Sequence, residues 1–168
     1  MKMQKRDSKT PLKQDVSNES CDIYENIGFL ATQLREKLST EFDRRIAPLG
    51  IIHHKQAGIL WVCSQNPHSQ ISLCNFASSD KNYVRMYIDD LEFKGLVERK
   101  QNPANRRENL ITLTPSGKEY AKKTYQIMKE VHNDLLLEHL SKEEMQELRK
   151  ILYKAVIGLE NKKQKLKG

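Results

Sequence analysis

The sequence predicts a mainly α fold interrupted once by a small β-hairpin. Three observations predict it. Apolar residues recur at steps of three and four through long stretches near both ends of the chain. Two short β-prone runs, LVERKQ (96–101) and NLITL (109–113), flank the turn-formers Asn102, Pro103, Ala104 and Asn105. Helix-opening and helix-closing residues punctuate the remainder.

Residues 1–19 mix Lys, Ser, Asp and Gln with almost no large apolar side chains, the composition of a disordered basic arm ahead of a single domain over 20–168. From Cys21 onward, Ile23, Ile27, Leu30, Leu34, Leu38, Phe42 and Ile46 form one helical stripe, stopped by Pro48 and Gly50. The spacing predicts a helix of about six or seven turns. A second helix is expected from about His53 to Ser64, closed by Asn66-Pro67. A third fits Gln70 to Ala77 behind Ser69 as N-cap.

The fourth helix, DKNYVRMYIDDLEFKG, places Val84, Ile88 and Leu91 on one stripe with Tyr87 beside it, and Gly95 ends it. Its opposite side carries Asn82, Arg85 and Met86, with Lys81 flanking. The hairpin follows, with Arg106 and Arg107 near its bend, where long cations contribute little to folding and can reach an external partner. Thr114 and Pro115 open a helix to about His139. Ser141 and Glu144 then form a capping box, with Leu140 and Met145 as its hydrophobic staple. The last helix carries Met145, Leu148, Ile151, Leu152, Ala155, Val156 and Leu159 on a broad stripe and ends in the basic tail NKKQKLKG.

Composition narrows the function. Lys+Arg outnumber Asp+Glu by 29 to 22 in 168 residues, and a net +7 favours a polyanionic partner. Only 38% of residues are apolar, which suits an elongated or oligomeric protein. No run is long and apolar enough for a membrane helix, and the N-terminus has no signal-peptide core, which places the protein in the cytoplasm. Cys21, Cys63 and Cys74 form no CxxC, so reduced thiols are expected. His53, His54 and Cys63 have no diagnostic metal-ligand spacing, and no metal or other cofactor is expected. Without a Ser-His-Asp order, a phosphate-cradling glycine loop or HExxH, the chain does not read as an enzyme.

Two short helices joined by a tight turn and followed by a hairpin make a winged helix-turn-helix, here about 51–113, in which the second helix enters the major groove and the wing lies along the backbone. The flanking helices, about 20–47 and 114–163, carry stripes wider than one such domain can cover, which points to dimerisation.

The stretch SQISLCNFASSDKNYVRMYIDDLEFKGLVERKQNPANRRENLITLTPSGKE resembles the winged-helix core of the MarR family of bacterial transcription regulators, and within it the SlyA-like branch. Leu91, Glu92, Lys94, Gly95, Leu96, Val97, Glu98 and Arg99 match the family's LE-x-KGLVER, and Asn105, Arg107, Leu113 and Thr114 fall at its wing spacing. The resemblance implies a homodimer on a pseudo-palindromic operator in double-stranded DNA, its recognition helices about 34 Å apart, with repression as the family default. It implies base or backbone contacts from Ser79, Lys81, Asn82, Tyr83, Arg85 and Met86, a minor-groove contact from Arg107 and a phosphate contact from Arg106. The family's wing aspartate is Asn105 here, and relatives often place arginine where this chain has Met86.

The resemblance also implies a small aromatic or phenolic effector in a crevice lined by Phe42, Arg45, His53, His54 and Trp61, although a satisfied histidine pair and a core tryptophan account for the same residues. Two alternatives stand beside it. Cys21 near a helix start would suit a redox sensor, but the peroxide-sensing branch places its cysteine about two turns later, where this chain has Gly28. A winged helix can also serve protein contacts alone, against which the basic wing argues.

Overall fold

The computed structural model describes residues 22–165. The arm over 1–19 and the redox reading at Cys21 lie outside them. A 3₁₀ turn (Ile23–Glu25) leads into α1 (Ile27–Ile46), then α2 (His54–Cys63), β1 (His68–Ser69), α3 (Gln70–Ala77), α4 (Lys81–Phe93), β2 (Val97–Asn102), β3 (Asn105–Leu113), α5 (Pro115–Leu136) and α6 (Lys142–Lys165).

The first stripe does not run in one helix. Asn26 adopts an extended conformation and its side chain accepts from the Phe29 N–H, so it caps α1 and leaves Ile23 in the separate turn. α1 is therefore 20 residues, about five and a half turns. Its end follows the sequence: Pro48 enters a 3₁₀ turn and Gly50 takes φ 75°, a left-handed conformation that glycine adopts without a Cβ clash.

Local caps set the remaining boundaries. Ser69 accepts from the Ser72 N–H (3.2 Å), Asp80 from the Asn82 N–H (2.8 Å) and Thr114 from the Gly117 N–H (3.0 Å). Each satisfies one donor that the first helical turn leaves without a partner. The capping box is complete: Ser141 Oγ accepts from the Glu144 N–H (3.1 Å), and Glu144 accepts from the Ser141 N–H (2.8 Å). α5 stops at Leu136 rather than His139, the chain leaving it through turns that return the His139 and Leu140 N–H groups to the Leu136 carbonyl.

The sheet is three-stranded and antiparallel in the order β1-β3-β2, so the hairpin gains a short third strand through His68↔Ile111 and Ser69↔Leu110. Two residues paired across more than forty positions have no local signal, and the sequence reading missed β1.

The core gathers Ile46 from α1, Ile51, Ile59 and Leu60 around α2, Leu73 from α3, Val84, Ile88 and Leu91 from α4, and Ile111 from β3, all fully buried. Each such side chain contributes roughly 1.5–3 kcal/mol by leaving water. α5 packs across α1 and α2 and is drawn onto the hairpin's base at Gly117, where an added Cβ would stand 1.9 Å from the Leu96 carbonyl oxygen. Trp61 donates its indole N–H to Thr124 Oγ1 (3.0 Å), whose own hydrogen goes to the Tyr120 carbonyl (2.8 Å), so this buried hydroxyl is satisfied twice. Among the described residues no helix is long and apolar enough to cross a membrane.

Candidate nucleic-acid interface

α4 is divided lengthwise. Val84, Ile88 and Leu91 are buried completely and Tyr87 almost so, while Lys81, Asn82, Tyr83, Arg85 and Met86 are exposed on the other side. The helix is held from behind by polar contacts. Buried Gln56 donates to Asp90 (2.6 Å) and accepts from the Ile52 N–H (3.0 Å), and Lys94 reaches both Asp90 and the Gly50 carbonyl. Arg99 on β2 pairs with Glu92 and Asp89, tying the wing's first strand to the same helix. Arg85 approaches Asp89 at only 3.7 Å and remains largely exposed, so little holds its guanidinium in place.

Ser78 takes a left-handed conformation (φ 45°) at the end of α3, turning the chain within three residues into Asp80 at the cap of α4. Ser79 is committed inside this turn: its hydroxyl accepts from the Lys55 ammonium and donates to the Ala77 carbonyl. The structure therefore gives Ser79 a role in setting the helix-turn-helix angle.

The wing differs from its sequence reading. Asn102 pairs with Asn105, so the turn is the dipeptide Pro103-Ala104, and Arg106 and Arg107 belong to β3, where its pairing with β2 is irregular, instead of to a bend running from 102 to 108. Asn102 accepts from the Ala104 N–H (3.0 Å), and Asn105 from the Arg107 N–H (3.2 Å). Asn105, the departure at the wing aspartate, thus braces the turn backbone. Both arginines are exposed, and among the described residues neither has an ion-pair partner. Arg107 lines a cavity of about 210 Å³ with Lys81, Arg99, Gln70 and buried Ile111, and Arg106 is not among its lining residues.

A winged helix built this way, with a polar helix face and a wing arginine that lines one cavity with Lys81, matches known proteins. Residues 53–109 match the MarR family. That stretch is similar to the winged helix of the MarR family. MarR from E. coli in complex with operator DNA superposes with a TM-score of 0.65 at 25% identity, over 80% of this chain and 98% of that one. CouR from Rhodococcus jostii RHA1, bound to p-coumaroyl-CoA, superposes with a TM-score of 0.67 at 21% identity, over 81% and 95%, a likeness of fold. The HTH-type transcriptional repressor NicR of Pseudomonas putida is 22% identical over 108 residues, 64% of this chain and 68% of NicR.

Behind this winged helix, α1, α2, α3 and α5 line a crevice of about 700 Å³. Phe42, Trp61 and Phe76 supply aromatic walls, and Arg35, His54, Lys55 and His132 bring cationic or protonatable groups. Three of the five sequence-predicted crevice residues line it: Phe42, His54 and Trp61. Arg45 does not, because its guanidinium is consumed by Glu41 and Asp134 (both 2.6 Å). Bonds from Arg44 and Arg45 hold the Glu41 carboxyl at about 2. His53 does not line it either. Its ring accepts from the Lys55 N–H (3.1 Å), stacks 4.2 Å from His54 and 5.3 Å from Tyr87, and lies below the ordinary histidine range through burial and the neighbouring His54. The sequence reading missed Arg35, Lys55 and His132, of which only Arg35 carried a signal, its helical phase with Phe42. Cys63 is buried and its thiol is pushed up to about 12, the state of an inert core cysteine.

Proposed function

We propose that the protein is a homodimeric, sequence-specific DNA-binding transcriptional regulator, a repressor in its simplest mode, released by a small aromatic anion. One observation carries the reading. Lys81 at the start of α4 and Arg107 on β3 line one cavity, Asn82, Tyr83 and Arg85 are exposed on the same helix, and that helix is fixed by buried contacts. Rigid support with mobile cationic side chains suits a surface that meets a duplex. Asn82 and Arg85 are the base-reading candidates, Lys81, Tyr83 and Arg106 the backbone ones, and Met86 offers apolar contact to a thymine methyl. The Leu91 to Arg99 motif supports placement in the SlyA-like branch.

Dimerisation is supported by the apolar side chains left exposed on the flanking helices, among them Ile27, Ile151, Val156 and Leu159. The effector reading is supported by the aromatic and cationic lining of the crevice, a combination that suits a flat anion such as an arylcarboxylate. The test is selection of bound duplexes from a random pool, with recovery of an inverted repeat whose half-sites lie about one helical turn apart as the expected result. Enrichment of no sequence would leave the chain a winged helix for protein contacts.

A further inference from the structure

We infer that Asp43, His53 and His54 form a binding site for one divalent cation of the zinc type. Asp43 lies in the last turn of α1, and the two histidines open α2 after the intervening turn through Pro48 and Gly50. The three side chains offer a carboxylate oxygen and two imidazole nitrogens that all lie within 4.8 Å of one another. Ligand bonds of about 2.0–2.2 Å around a tetrahedral zinc ion put ligand atoms about 3.4 Å apart, a gap that side-chain rotations close. Two imidazoles and a carboxylate suit Zn²⁺ and its neighbours rather than Ca²⁺ or Mg²⁺, which favour all-oxygen shells.

The backbone already holds the ligands in register. The Asp43 carboxylate accepts from the His54 N–H, joining the end of α1 to the start of α2. It also faces His54 Nδ1 at 3.0 Å, the position that a cation between the two would take over, leaving the neutral ring's proton on Nε2. His53 Nδ1 accepts from the Lys55 N–H in the ion-free chain, so ligation through Nε2 moves the ring proton to Nδ1 and releases that capping bond. The ammonium of Lys55, the nearest cation in sequence, is drawn away to Ser79. All three ligands are partly exposed, which admits a water as fourth ligand. A bound ion would cross-link α1 to α2 one residue from the Lys55–Ser79 contact that supports the turn into α4. The inference stands whether or not the chain binds DNA, because its readout is the ion itself.

The test is titration of the untagged full chain with Co²⁺, followed by its visible d–d absorption. The expected result is saturation at one equivalent per chain, bleaching by Zn²⁺, and an affinity loss of at least about tenfold in both His53→Asn and His54→Gln. Asparagine at 53 retains an acceptor for the Lys55 N–H, and a thermal midpoint near that of the parent shows that loss of the signal is loss of a ligand. No saturable signal in the parent chain, or undiminished affinity in either variant, would overturn the site and place any cobalt on other histidines.

Discussion

Two helices carry apolar stripes, and only one stripe is covered. On α4, Val84, Ile88 and Leu91 are at 0% exposure, whereas on α6 Ile151, Val156 and Leu159 stand at 57%, 52% and 70%. The α4 stripe is consumed by the chain's own core, which leaves the polar side of that helix for something outside. The α6 stripe, with the exposed Ile23, Ile27 and Leu30 at the other end of the fold, is apolar surface that a single chain leaves to water. The same periodicity therefore serves the inside of the chain in α4 and, in the proposed dimer, the face between two subunits in α6.

Breaking the covered stripe should have the largest effect. Leu91→Ala is expected to cost about 2–5 kcal/mol of stability in denaturant unfolding, as removal of a fully buried side chain does. A loss below about 1 kcal/mol would contradict the role of α4's inner face as the anchor. Breaking the uncovered stripe should leave the fold and destroy the assembly. Ile151→Glu combined with Leu159→Glu is expected to keep the thermal midpoint, to sediment as single chains, and to bind operator at least about 100-fold more weakly once two half-sites no longer act together. Two-chain sedimentation by that variant would remove α6 from the interface.

The comparison sharpens on the wing. Arg107→Ala should weaken operator binding by about 1–3 kcal/mol and reduce the slope of affinity against salt, with Arg106→Ala milder because only Arg107 lines the cavity shared with Lys81 of α4. Equal losses from both would contradict the separate role given to Arg107. The smallest effect is pH dependence. Burial and the nearby Arg149 hold His132 below the ordinary histidine range. The unfolded chain therefore binds the proton first, and stability present at neutral pH is lost as pH falls through the ordinary range toward the folded value. Thermal midpoints should drop between pH 7.5 and 5.5, less steeply in His132→Gln, and an unchanged slope would show that His132 is not the group responsible.

Much of this architecture was legible because its signals are local. Ser69, Asp80, Thr114 and the Ser141–Glu144 pair each cap the helix that their spacing announces, and the α4 stripe faces inward where its phase puts it. What the sequence concealed depends on partners far along the chain. β1 needs Ile111 to exist as a strand, Asn26 competes successfully with a stripe that runs straight through it, and the placement of Arg106 and Arg107 turns on whether Asn102 pairs with Asn105. At the crevice, His53 and His54 are adjacent in sequence but divide, one to the capping of α2 and the other to the crevice wall. Asp43 joins them across a turn that no spacing rule describes.

The central claim is that two chains act together on one duplex. Sedimentation of the purified chain, alone and with the selected duplex, measures this directly. A two-chain species that binds one duplex per pair is the predicted result; a single-chain species that leaves every duplex unshifted at moderate salt would contradict it.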